Sequence, residues 1–560
     1  MSQNRLLAML LSVLAVLVLV VGGLSAFLLL TDDGDDGTAG TGGITTDAGT
    51  GAGAPAAGGR LRLASGDPVT LDPHLAGDAT SAEYIVEIFS GLVTLVPDPD
   101  PESGEVGVEI GFDLADDLEV SDDGLVYTFT LRDDVRFHSG REVTAEDVSW
   151  SLHRSASREL ASPQAVAFLG DIVGLREFRN GERETIEGIE VIDERTIRFT
   201  IDEPKPYFLA KLTYPATFVV DRQQVESNPR NWTRRPNGTG PYQLSEWRLG
   251  ERIVLEAVED HHLGTPRLRQ AVYLLAGGSA LTRFENDELD VSNVSINDIE
   301  RARDSSGDLH DMYSVWGQFS VSYIALNTNQ PPFDDVYVRR AMAMAMDRDR
   351  VARVTFDEMF TAATGLLMPQ MPGYTSEDKT LPFDPEAAQE ELAQSQYADD
   401  IPRIVVTEAG AGAEASIDTQ AYLEQWRTTL GLDIEVRQMD WASFLREMDE
   451  RRLQAFGVGW IMDYPDPENI LDLKFHSDSP LNNTGFSDPE IDALLEEARV
   501  EQDPERRMEI YREVERTLIQ DAVWIPLYFS QAHVVVRPEV QGWFEPPMVL
   551  PRLRYVEVDR

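Results

Sequence analysis

The chain has 560 residues, 98 of them acidic and 48 basic, for a formal net charge of −50. Only four of the basic residues are lysines: Lys205, Lys211, Lys379 and Lys474. With acidic residues outnumbering basic ones two to one, the chain repels phosphates overall, which argues against nucleic acid as a partner, and 42% hydrophobic with 8% aromatic residues is too apolar for a disordered chain.

Leu6 to Leu30 is an unbroken run of apolar and small residues behind Arg5. It is longer than a signal-peptide core and matches the roughly 20 residues that span a bilayer. Asp32, Asp33, Asp35 and Asp36 lie beyond its far end, so the body faces outward. The run reads as a retained anchor; an export signal cleaved near Ser25 is the alternative. Thr31 to Gly59, rich in Gly, Ala, Thr and Asp, reads as a flexible tether. The chain has no cysteine. That removes disulfides, thiol catalysis, zinc–thiolate sites and a lipid-modified cysteine.

The remaining 500 or so residues exceed a single core, and two or three domains are expected. Val126 to Leu131 and Ile197 to Ile201 alternate as strands do. Thr144-Ala145-Glu146-Asp147 resembles a capping box, predicting a helix with Val148 and Leu152 on one face and Pro163 ending the region. Asp503-Pro504 opens another helix carrying Met508, Tyr511, Val514 and Leu518, and Val523 to Phe529 reads as a closing strand. The pattern is mixed α/β.

Enzyme signatures fail. There is no phosphate loop, nucleophile elbow or HExxH helix. Ser376-Glu377-Asp378-Lys379 fits SxxK but sits between Pro372-Gly373 and Pro382, and no KTG accompanies it. His261-His262 offers metal ligands, but adjacent histidines point apart in most backbones and no third ligand is near in sequence. Carboxylate pairs carry no catalytic signal in a chain this acidic.

Gly459-Trp460-Ile461-Met462-Asp463-Tyr464-Pro465-Asp466-Pro467 is the most informative stretch. Its prolines bar a helix, predicting a stiff, irregular loop. Asp463 lies between Trp460 and Tyr464; a carboxylate among ring faces is poorly hydrated and gains most from a cation. A solvated surface turn is the plainer reading of these nine residues alone.

Several blocks occur in fixed order. They are Leu71-Asp72-Pro73-His74; Leu131 to Gly140 running into Val143 to Val148; Asn237-Gly238-Thr239-Gly240-Pro241-Tyr242; Asn327-Thr328-Asn329 with Pro332 to Val336 and Val338 to Ala341; the Gly459 loop; and Phe486 to Asp492. In this series the chain resembles the dipeptide/oligopeptide family of extracytoplasmic substrate-binding proteins that serve ABC importers, over essentially all of Leu61 to Arg560.

The resemblance implies an α/β, two-lobed periplasmic-binding-protein-like fold with a small additional domain and a cleft between lobes. It places the main lobe at 60–96, 218–317 and 526–560, the small domain at 97–217 and the second lobe at 318–525. It implies ligand capture by hinge closure, a permease partner, a monomer without cofactor or enzymatic activity, and a position on the outer face of the cytoplasmic membrane. By the same likeness Asp463 meets a peptide's α-amino group and Trp460 lines a side-chain pocket. Gly459, Ile461 and Tyr464 stand beside them. Gln164 takes the place of a tyrosine of the small domain in oligopeptide binders, and an acid of theirs is replaced near Gly77-Asp78; Gln164 and Asp78 are kept as candidate ligand-binding positions. Gly457 and Met448 fall where oligopeptide binders carry basic residues, which weakens the case for a fixed carboxylate partner. The alternatives are a binder of a non-peptide solute (nickel chelate, haem or sugar) and a membrane-tethered sensor uncoupled from transport.

Overall fold

In the computed structural model, which describes residues 59–100, 103–410 and 415–559, two long strands link the halves of the molecule. Tyr313–Leu326 and Trp524–Val536 run antiparallel, and both are rich in the β-branched and aromatic residues that suit a pleated surface. Their ladder is interrupted: Tyr313 to Gly317 pair with Gln531 to Val535, the register slips between Gly317 and Val321, and pairing resumes from Val321 opposite Phe529. A ladder broken at its middle is a natural bending point. The predicted span Leu6 to Leu30, and the tether through residue 58, lie outside the described residues. No helix among the described residues is long and apolar enough to cross a membrane.

At one end of the crossing pair lies a four-stranded sheet in the order Arg60–Ala64, Gln270–Leu274, Arg252–Ala257, Tyr242–Arg248. Leu61, Tyr84, Tyr242, Ile253 and Tyr273 fill its core. At the other end the crossing strands join Ala455–Ile461, Ile404–Ala409 and Ile434–Met439 in a larger sheet. Helices such as Pro504–Gln520 cover it, with Tyr511, Val514 and Leu518 buried as their spacing predicts. A third core, around Phe129, Phe199 and Leu152, belongs to the sheet of Ala115–Val120, Val126–Leu131, Thr196–Thr200 and Ile189–Val191.

The early sequence blocks act as fasteners. Thr144 and Asp147 form the expected reciprocal capping box at the start of Ala145–Ala156. On that helix Arg154 grips both carboxylate oxygens of Asp72 at 2.9 and 2.5 Å and donates to His74 Nδ1 at 2.8 Å. His74 Nε2 donates to the Phe218 carbonyl at 2.9 Å. The Asp-Pro-His block thus ties the chain before the helix Ala79–Ile88 to the helix Ala145–Ala156 and to the segment at Phe218.

Two local expectations are overturned. The helix begun at Thr144 ends at Ala156, and Pro163, rather than closing the region, opens a new helix, Pro163–Leu169, capped by Ser162. Proline costs nothing in a first turn, where its missing N–H has no partner to lose. The Gly459 segment is likewise not a loop throughout: Gly459, Trp460 and Ile461 finish the strand Ala455–Ile461, and Pro467 is the N-cap of the helix Glu468–Phe475. Only the residues between them are irregular.

In a separate small cluster, Ala167, Phe168, Ala210, Tyr214 and Ala216 pack with Tyr464, Leu473 and Leu481. Lys211 Nζ meets Glu468 Oε1 at 2.9 Å in the same region, with both side chains buried.

Candidate ligand-binding site

Trp460 and Asp463 stand where the strand Ala455–Ile461 gives way to the turn before Glu468–Phe475. On one side that strand pairs along its length with Ser320 to Leu326. On the other, among the described residues, it pairs only at Ala455 and Phe456, with Val406 and Thr407. The free edge beyond Phe456 runs along a cavity of about 620 Å³, lined there by Val458, Gly459, Trp460 and Ile461. An added Cβ at Gly459 would make only ordinary contacts with the neighbouring strand, the nearest at 3.7 Å.

The cavity is lined by residues from several separate elements. Asp78 and Gly77 reach it from the N-terminal end of the helix Ala79–Ile88, Gln164 from the helix Pro163–Leu169, Tyr214 from the segment stacked on Phe168, and Asp463 and Lys474 from the turn and helix that follow Ala455–Ile461. Asp78 caps the helix Ala79–Ile88, its Oδ1 accepting the Ser81 N–H at 3.0 Å. Gln164 is buried over Gly77, where a Cβ would come within 2.4 Å of its Nε2. Of the seven residues singled out from sequence, Asp463, Trp460, Gly459, Ile461, Gln164 and Asp78 all line this cavity. Tyr464 does not: its ring is fully buried behind the wall, edge-on to Phe168 at 6.1 Å, with its hydroxyl donating to Glu468.

One side chain that sequence reasoning missed sets the geometry of the acid. Asn469, fully buried on the first turn of its helix, donates from Nδ2 to Asp463 Oδ2 at 3.0 Å. Its Oδ1 accepts the Asp463 N–H at 3.0 Å and the Trp460 Nε1–H at 3.2 Å. Burial pushes the Asp463 carboxyl up to about 7, against the opposing pull of the Asn469 hydrogen bond and the charge of Lys474. The carboxylate keeps some exposure, but toward the cavity.

Sequence reasoning also missed the basic groups. Gly457 and Met448 supply none, yet Lys474 and Arg446 both line the cavity. Lys474 Nζ lies 4.4 Å from the centroid of the Trp460 ring and donates to Asn483 Oδ1 at 2.6 Å. Burial lowers its pKa to about 8, with Asp449 and Asp463 acting in the opposite sense. The sparseness of lysine in the chain was the one available signal.

The histidine pair departs from expectation. The rings of His261 and His262 lie close together, centroids 4.0 Å apart with planes tilted by 37°, and Asp113, distant in sequence, completes a cluster whose possible ligand atoms lie within 4.8 Å of one another. The cluster is internally bonded: His262 Nε2 meets Asp113 Oδ1 at 2.6 Å, and His261 Nδ1 accepts the Leu263 N–H at 3.2 Å. The histidines open onto a separate cavity. The lysine of the SxxK match, Lys379, is buried against Glu515 at 3.3 Å.

A two-lobed α/β body with such a cavity has the architecture of periplasmic-binding-protein-like solute binders. Residues 109–482 match the family model of bacterial extracellular solute-binding proteins, family 5, and the chain belongs to that family. The periplasmic oligopeptide-binding protein OppA of Escherichia coli strain K12 is 27% identical over 495 residues, covering 85% of this chain and 87% of that protein. Heme-binding protein A of Haemophilus influenzae is 27% identical over 512 residues, covering 88% and 91%. Among solved structures, a periplasmic oligopeptide-binding protein of Borrelia burgdorferi superposes with a TM-score of 0.79 at 26% identity, covering 89% of this chain and all of that one.

Proposed function

We propose that the protein captures peptides outside the cytoplasmic membrane by closing its lobes on them, and delivers them to an ABC permease without chemical change. The observation that carries this is the free edge of Ala455–Ile461 ending at Asp463. An open strand edge offers hydrogen bonds to an extended backbone, and a desolvated carboxylate at its end offers a partner for the terminal amine. Trp460 supplies an apolar face for the first side chain, with Gly459 and Ile461 contributing backbone groups. Gln164 and Asp78 close the opposite wall, and Tyr464 stiffens the turn from behind.

In this reading the main lobe is 60–96, 218–317 and 526–560, the small domain 97–217 and the second lobe 318–525. Leu6 to Leu30 holds the monomeric body at the membrane, and no cofactor takes part.

Calorimetry with trialanine and N-acetyl-trialanine tests the proposal, alongside native mass spectrometry of co-purified material. Free trialanine should bind, and the acetylated form should lose about 30-fold or more, as expected for removing one member of a buried charge pair. Equal affinities, or a co-purified ligand without an amine, would discard amine capture; cleaved peptide in the cell would discard a purely binding role.

A further inference from the structure

Each of the four lysines that this acidic chain retains is buried. Three are in ion pairs: Lys205 with Asp171 at 2.7 Å, Lys211 with Asp171 and Glu468 at 3.0 and 2.9 Å, and Lys379 with Glu515 at 3.3 Å. The fourth is Lys474. Among the described residues no carboxylate oxygen comes within 4.0 Å of its Nζ, although the side chain is only 2% exposed. Its neutral neighbours are Asn483 and the Trp460 ring. An ammonium has three N–H donors, and Asn483 takes one.

Burying a cation without an anion is costly, and such charges persist where a partner arrives. Asp449 is one residue removed, reached through Asn483 Nδ2 at 3.3 Å, and it is exposed at the cavity rim. Asp463 acts on Lys474 only through space. Once a ligand's ammonium docks on Asp463, that acid is neutralised and Lys474 faces a second cation. A neutral ligand side chain against Trp460 would leave this imbalance in place; a carboxylate would remove it.

We propose that Lys474 selects ligands carrying a carboxylate within reach of the Trp460 pocket, in addition to the amine held by Asp463. The inference rests on the peptide-binding reading above and narrows it to doubly charged ligands. The carboxylate comes either from the first side chain or from the terminus of a short chain, and both present the same chemistry to Nζ.

The test is calorimetry on the full protein at neutral pH with four peptides: Glu-Ala-Ala amide, Gln-Ala-Ala amide, trialanine and trialanine amide. The wild type should bind the glutamate amide at least about tenfold more tightly than the glutamine amide if the side chain is the source. It should bind trialanine about tenfold more tightly than its amide if the terminus is. In Lys474→Met the difference should shrink to about twofold or less. Matching affinities within both pairs would overturn the proposal in the wild type alone, whatever the variant does, and so would a difference that survives in Lys474→Met. If the amides bind but neither pair differs, only this inference falls; if none of the four binds, the peptide reading falls with it.

Discussion

Asn469 holds Asp463 at two points, through the carboxylate oxygen and through the backbone N–H, and ties Trp460 to the same amide oxygen. The candidate amine-binding acid and the candidate pocket wall are therefore positioned by one buried side chain. Asn469→Ala should strand two donors in a buried turn. A buried donor left unsatisfied costs about 1–3 kcal/mol, so urea unfolding should show a loss of that order, and trialanine affinity should fall at least about tenfold. Asn469→Asp keeps the two acceptor contacts but sets a second carboxylate against Asp463. It should unfold closer to the wild type while losing as much affinity, which separates positioning from mere folding.

The pH dependence of binding follows from the same carboxyl. Ligand-free Asp463, raised to about 7 by burial, is increasingly protonated below neutrality. The groups acting on it are Asn469 and Lys474, both favouring its charged form. An α-ammonium binds only the carboxylate, so the association constant for trialanine amide should fall about tenfold per pH unit below about 7. It should fall again above about 8, where the peptide amine loses its proton. Asp463→Asn should bind weakly and flatten the acid limb. An acid limb of unchanged slope in that variant assigns the titration to another group.

The parts legible in the sequence are those decided by near neighbours. The capping box at Thr144 and the alternation of Val126 to Leu131 need only residues within a turn or a strand, and both form as read. Of the six candidate residues that reach the cavity, Gly459, Trp460, Ile461 and Asp463 do so together because they sit on one short segment, whereas Gln164 and Asp78 come from other elements. The environment of Lys474 could not be read this way. Asp449, Trp460, Lys474 and Asn483 lie on different elements, and only tertiary folding brings them together. The role of Asn469 was hidden for another reason: an asparagine on the first turn of a helix has the same appearance whether it caps, faces solvent or grips a ligand-binding acid. Pro163 and Pro467 misled because proline excludes helix interiors but suits helix beginnings.

His74 gives the fold a separate acid sensitivity. Burial, reinforced by Arg154, lowers its pKa to about 4, while Asp72 and the Phe218 carbonyl oppose the shift. In the unfolded chain a histidine takes its proton near 6.5. Its contribution is therefore complete above about 6.5 and is lost as pH falls toward 4, by up to about 3 kcal/mol at 1.36 kcal/mol per unit. Asp463, raised by burial, acts in the opposite sense between about 7 and 4, so the comparison must be with a variant. His74→Gln should lower stability at neutral pH, and its urea midpoint should fall less than the wild type's between pH 6.5 and pH 4.5. Parallel declines would remove His74 from the acid response.

The ion pair between Lys211 and Glu468 spans two separate cores and should favour the closed arrangement of the lobes. Burial pushes the Glu468 carboxyl up to about 7, against the attraction of Lys211, while Asp472 and Asp171 add to the rise. Asp472 is itself held by Arg499 at 2.6 and 2.8 Å, and Asp171 keeps Lys205 when Lys211 is removed. Lys211→Met therefore leaves one buried carboxyl without its cation, and that carboxyl escapes the cost only by protonation. At pH 6 the variant should bind trialanine within a few-fold of the wild type. At pH 8, where the proton must be held against solvent, the deficit should widen by about tenfold or more. Adding Glu468→Gln should abolish the widening, since nothing is left to titrate. If the deficit is the same at both pH values, Glu468 is ionised in neither or in both, and the pair does not govern closure.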